Sequence, residues 1–125
     1  MKKIITTKNA PNPIGPYSHG VVAGGFVFVS GQVGKDPVSG NIVNDTIENE
    51  TKMVMSNVKG ILEQAGSSLD KVVKTTIFLT NLDDFAKVNE VYGSYFKGDY
   101  PARETVQVSR LPLNVNVEIS VVAIA

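Results

Sequence analysis

The chain has no cysteine, no tryptophan and only one histidine among its 125 residues. Without cysteine there are no disulfides, thiolate metal sites or thiol nucleophiles. The lone histidine, His19, leaves no imidazole pair for zinc or iron and reads as a surface residue. No acidic cluster has the spacing of a calcium loop, so no metal is expected. An excess of charge is also missing: 12 basic residues balance 12 acidic ones, and no net field favours nucleic acid or an anionic membrane as partner. No run is apolar enough to span a bilayer, and the start at Met1-Lys2-Lys3-Ile4-Ile5-Thr6 turns polar too soon for a signal peptide. A cytoplasmic protein is expected. What is present, 42% hydrophobic and 19% charged residues, describes one globular domain over residues 1–125 with a single core.

Along the chain, a β-prone run from Lys3 to Thr7 stops at Asn9-Ala10-Pro11-Asn12-Pro13-Ile14-Gly15-Pro16, where three prolines and a glycine forbid regular structure and lead to Tyr17. Gly24-Gly25 between two apolar runs predicts a tight hairpin. Asp45 with Glu48 is spaced as a capping box for a helix whose apolar face is Val54, Val58, Ile61, Leu62 and Ala65, ended by Gly66. Residues 72–79 alternate as a strand, with Val73, Thr75, Ile77 and Leu79 on one side. Asp83 is expected to cap a second helix carrying Phe85, Val88, Tyr92 and Tyr95 or Phe96, with Gly98 as terminator. The helix-bearing connections are long enough for right-handed crossovers, so the strands beginning near 26, 72 and 104 should run parallel to one another. Phe26-Val27-Phe28-Val29 and Val121-Val122-Ala123-Ile124-Ala125 are apolar at both parities, and two helices cover only one face of a sheet. The other face calls for a second subunit, hence a homo-oligomer.

The chemistry is expected between Pro101-Ala102-Arg103 and Val117-Glu118-Ile119, which put a fixed cation at the mouth of one strand and a carboxylate inside the next. Arginine is always charged and offers a planar fork suited to gripping a carboxylate or phosphate at two points. The structural alternative is an ion pair with a neighbour such as Glu104. Were the last two strands a simple hairpin, Glu118 would face Gln107, roughly 13 Å along the strand from Arg103. Whether the two residues meet within one chain or across subunits stays open.

The joint order of Ile14-Gly15-Pro16-Tyr17-Ser18, Ser30-Gly31-Gln32, Val73-Lys74-Thr75-Thr76, the run Phe85 to Tyr92, Pro101-Ala102-Arg103, Leu111-Pro112 and Val117-Glu118-Ile119 resembles the Rid, or YjgF, family of reactive intermediate deaminases over almost the whole chain. The resemblance implies an α+β fold like that of chorismate mutase, a six-stranded mixed sheet backed by two helices, assembled as a trimer with a central β-barrel and clefts between subunits. It implies hydrolysis of 2-imino acids, derived from the enamines that amino-acid dehydratases release, to 2-oxo acids and ammonia, with no cofactor. Arg103 would hold the substrate carboxylate and Glu118 the attacking water, lined by Tyr17, Ser30, Gly31, Asn89 and Thr105. Three departures bear on substrate preference. Thr105 stands where much of the family has cysteine, Gly34 after Val33 replaces a frequent proline, and Ser120 replaces a second acid. The alternative is a noncatalytic trimer that binds small carboxylates as a regulator; Glu118 discriminates, because only water activation needs an acid there.

Overall fold

A computed structural model describes all residues, 1–125. Six strands and two helices alternate as β1 (Lys3–Ile5), β2 (Gly20–Ala23), β3 (Phe26–Gln32), α1 (Ile47–Gln64), β4 (Val72–Leu79), α2 (Phe85–Gly93), β5 (Ala102–Gln107) and β6 (Val117–Ile124). They form one mixed sheet in the order β1-β2-β3-β6-β4-β5. Only β4 and β5 are paired in parallel; β6 lies antiparallel to both β3 and β4. β3, β4 and β5 therefore point the same way, as the crossover argument requires. β6 runs between β3 and β4 instead of returning beside β5, so the last two strands form no hairpin.

Side-chain alternation gives the sheet two unlike faces. Val27 and Val29, Ile77 and Leu79, and Val117, Ile119, Val121 and Ala123 are buried under the helices, where each large aliphatic side chain contributes roughly 1.5–3 kcal/mol. On the other face Phe26, Phe28, Val106 and Ile124 keep 41 to 48% of their surface exposed. That open apolar face carries the second half of the two-sided apolar pattern of β3 and β6. No helix is long and apolar enough to cross a membrane.

Local corrections follow from hydrogen bonding. The Thr46 side chain, not that of Asp45, caps α1 by accepting from the Asn49 N–H. Asp45 instead accepts from the Asn49 side-chain amide at 3.1 Å. Gly66, at φ 80°, ends the helix as expected. The entry to the second helix is a short 3-10 turn over Leu82–Asp84, capped by the Asn81 side chain. α2 then stops at Gly93, so Tyr95, Phe96 and Gly98 lie beyond it. A register shift between Val72 and Lys74 places Val73 outward while Thr75, Ile77 and Leu79 stay inside.

A candidate active site in two halves

His19, expected at the surface, is buried with 2% of its area exposed. Its Nδ1 accepts from the Thr7 N–H at 3.3 Å, and Nε2 lies 2.7 Å from the Pro11 carbonyl oxygen. With Nδ1 as acceptor, Nε2 carries the proton and both ring nitrogens are spent on holding the proline-rich loop. That loop is then stitched to β3: the Ser30 N–H donates to the His19 carbonyl at 3.0 Å, and the Ser30 hydroxyl to the Ser18 carbonyl at 2.5 Å. The stitching sets Tyr17 beside Ser30 and Gly31 at the rim of a cavity of about 330 Å³ that Glu118 also lines.

Glu118 is registered with Phe78 of β4 and so lies on the open face of the sheet. A Cβ at position 31 would fall 2.8 Å from Glu118 Cδ and Oε2, so the carboxylate rests against bare backbone that only glycine offers there. Glu118 has no ion-pair partner within the chain. Burial raises its pKa above the ordinary 4.5 and so raises its affinity for a proton.

Arg103 is registered with the buried Thr75 and so lies on the helix side. The guanidinium carbon sits 5.1 Å from the Tyr92 ring centre and 5.7 Å from that of Phe85. The Tyr92 hydroxyl donates to Thr75 Oγ1 at 2.9 Å, fixing the ring. No carboxylate pairs with Arg103. Glu104, on the opposite face of β5, is taken by Lys74 at 2.9 Å and by the Thr76 hydroxyl at 2.6 Å, which removes the structural ion pair as the explanation of Arg103. Two aromatic faces position the cation and leave its N–H fork unspent, which a carboxylate partner would not do. Arg103 lines a second cavity, of about 340 Å³, with Asn89, Tyr92, Tyr100 and Pro101.

The sequence candidates thus divide into two groups. Tyr17, Ser30, Gly31 and Glu118 share one cavity; Arg103 and Asn89 share the other. From Arg103 to Glu118 is two strand spacings across the sheet and three residues along it, roughly 14 Å between Cα atoms, with the side chains on opposite faces. Thr105 lies on the same side of β5 as Arg103 and lines neither cavity; its Oγ1 is shielded from solvent and has no hydrogen-bond partner.

Two further polar residues organise the Glu118 half from within the core. Glu50, wholly buried in α1, accepts from the Asn116 N–H and Asn116 Nδ2, each at 2.8 Å, and from the Val117 N–H at 3.3 Å. It thereby anchors the backbone that leads into Glu118. Asn57 donates to the Val33 and Lys35 carbonyls at 3.1 and 2.9 Å and pins the loop after β3. The signal for both was present: they lie four residues before and three after Val54, polar side chains on an apolar helical face.

A family profile described as Endoribonuclease L-PSP (Ribonuc_L-PSP) matches residues 7–125. A RutC family protein of Pyrococcus horikoshii is 51% identical over 123 residues, 98% of either chain. The human 2-iminobutanoate/2-iminopropanoate deaminase is 43% identical over 124 residues, 99% of this chain and 90% of that one. The Escherichia coli protein TdcF, solved with bound serine, superposes with a TM-score of 0.94 at 44% identity over 98% of each chain. The sheet order, the two helices and the match over nearly the whole length agree: the chain belongs to the Ribonuc_L-PSP family, which includes the YjgF, RutC and Rid proteins.

Proposed function

We propose that this protein hydrolyses 2-imino acids to 2-oxo acids and ammonia at sites completed between subunits of a homotrimer. The observation that carries the reading is the pair of complementary half-sites: a cation with an unspent fork on one side of the sheet, and an unpaired, half-buried carboxylate on the other. Neither half alone suits a small imino acid. β5 is the edge strand of the sheet, so when the open faces close around a common axis the Arg103 cavity at that edge meets the Glu118 cavity of the next subunit, and a ligand a few ångströms long touches both.

Arg103 takes the substrate carboxylate through two N–H donors, which fixes the plane of the imine. Water held by Glu118 adds to the imine carbon and gives up a proton to the carboxylate. Addition to the protonated imine leaves a tetrahedral carbon bearing hydroxyl and neutral amine. Glu118 passes its proton to that amine, which leaves as ammonia. The hydroxyl gives up its own proton to the departing ammonia as the C=O bond forms, so the products are the 2-oxo acid and ammonium. A protonated imine is already electrophilic, so aiming the water supplies most of the acceleration. Burial raises the proton affinity of Glu118 and makes it a better base than a solvated carboxylate. The bare backbone at Gly31 places that carboxylate and Ser30 holds the Tyr17 loop beside it, while Tyr17 and Asn89 line the two sides of the cleft.

The human relative's name gives the same activity, and TdcF was solved with serine, a small amino acid that presents the same carboxylate. The family description speaks of an endoribonuclease. The single histidine here is buried with both nitrogens engaged, so it is no free acid or base for phosphodiester cleavage, and that favours the imine reading.

The test is a coupled assay. A dehydratase or amino-acid oxidase generates 2-iminopropanoate or 2-iminobutanoate, and release of the oxo acid is followed with and without the purified protein. Acceleration over the uncatalysed rate, lost in Glu118→Gln, supports hydrolysis. Binding of 2-oxobutanoate without acceleration would leave a carboxylate-binding regulator in its place.

A further inference from the structure

We infer that Leu113 determines which side chain the substrate carries, acting as an apolar wall of the Glu118 cavity; this rests on the imine-hydrolase reading above. Leu113 has φ 60° and ψ 15°, the left-handed region in which a Cβ crowds the following carbonyl. Asn114 follows at φ 56°, but asparagine adopts that conformation at much lower cost than leucine.

The core gives no reason for leucine here. Leu113 keeps 47% of its surface exposed, while Leu111 and Val115 on either side keep 8% and 1%. The turn is anchored by those neighbours and closed by the Asn114 N–H to the Leu111 carbonyl at 3.0 Å. Its middle residue is pushed outward, where it lines the same cavity as Glu118 together with Ile14, Val33 and Pro112. An exposed aliphatic side chain kept in a disfavoured backbone conformation is a feature of binding sites more than of scaffolds.

The chemistry of the substrate supplies the rest. The imine carbon bears a carboxylate, a nitrogen and one side chain. With the carboxylate at Arg103 and the carbon facing Glu118, the side chain is left for this lining. Leu113 offers it apolar contact and no hydrogen bond, which selects short aliphatic side chains.

The experiment compares wild type with Leu113→Asn and Leu113→Gly. It reads kcat/KM for 2-imino acids bearing methyl, ethyl and isobutyl groups, affinity for the matching 2-oxo acids by calorimetry, thermal midpoint and molecular mass. The expected result is a thermal midpoint at or above wild type and an unchanged assembly. The preference for the longer over the methyl side chain should fall by about fourfold for each methylene that loses its contact, in the rates and in the oxo-acid affinities alike. An unchanged preference in an active enzyme would overturn the inference and leave the deaminase reading intact. A lowered midpoint or a dissociated assembly would overturn it in favour of a structural role. A wild-type protein inactive on every imino acid would sink the deaminase reading and this inference with it.

Discussion

Glu50→Ala should be among the most damaging single substitutions in this protein, although position 50 touches neither cavity. The side chain is 0% exposed and satisfies the N–H groups of Asn116 and Val117 together with the Asn116 amide. Alanine leaves two backbone donors without a partner, each costing about 1–3 kcal/mol, while the half-buried Asn116 amide can turn to water. The sum, roughly 4 kcal/mol with the small cavity included, is a large part of a typical stability of about 5–15 kcal/mol. Glu50→Gln differs. Its amide oxygen can accept from both backbone donors, and the Asn116 amide can flip to present oxygen to the new NH₂ group. About 1 kcal/mol or less is expected. Urea unfolding followed by circular dichroism, at one protein concentration because association shifts apparent stability, should show the midpoint of the alanine variant lowered by about 2 M for a slope near 2 kcal/mol/M. The glutamine variant should stay close to wild type. An alanine variant within about 1 kcal/mol of wild type, or a glutamine variant as unstable as alanine, would refute the reasoning.

Arg103→Ala should abolish binding of 2-oxobutanoate by calorimetry, and Arg103→Lys should restore little of it, because an ammonium cannot reproduce the two-point fork; equal affinities would remove Arg103 from the site. Glu118→Gln should lower turnover by about 10²- to 10⁴-fold while leaving oxo-acid binding in place, and unchanged turnover would demote Glu118 to structure. The rate should fall as pH drops through the Glu118 pKa, which burial holds above 4.5, because only the ionised carboxylate takes a proton from water; this acid limb should vanish in the glutamine variant. The same raised pKa makes the Glu118 contribution to folding stability complete at low pH and lost as pH rises through the folded value, so Glu118→Gln should flatten stability over that window. Light scattering should give about three times the 13.4 kDa chain mass, and a monodisperse monomer would leave each half-site without its complement.

Local signals in the sequence were enough for most of the secondary structure. The Gly24-Gly25 hairpin, the α1 stripe and the Gly66 stop depend on neighbours a few residues away, and all three stand in the structure. The choice between Asp45 and Thr46 as cap, and the early end of α2 at Gly93, turn on which side-chain oxygen reaches a free N–H and where packing ends, and spacing alone does not distinguish these. The apolar character of both faces of β3 and β6 was likewise visible, because alternation is a property of consecutive residues.

Tertiary structure decided the relation between distant segments. Inserting β6 between β3 and β4 puts Arg103 and Glu118 on opposite faces, a consequence of strand order that sequence separation does not encode. It also turned the lone histidine inward, because the Thr7 N–H and Pro11 carbonyl converge on one point only after the proline-rich loop closes. Glu50 and the backbone before Glu118 lie 66 and 67 residues apart in the chain. The residue types that carry chemistry could be read from order and spacing, but which of them share a cavity was set by the sheet, because register and face are fixed only when every strand has found its partners.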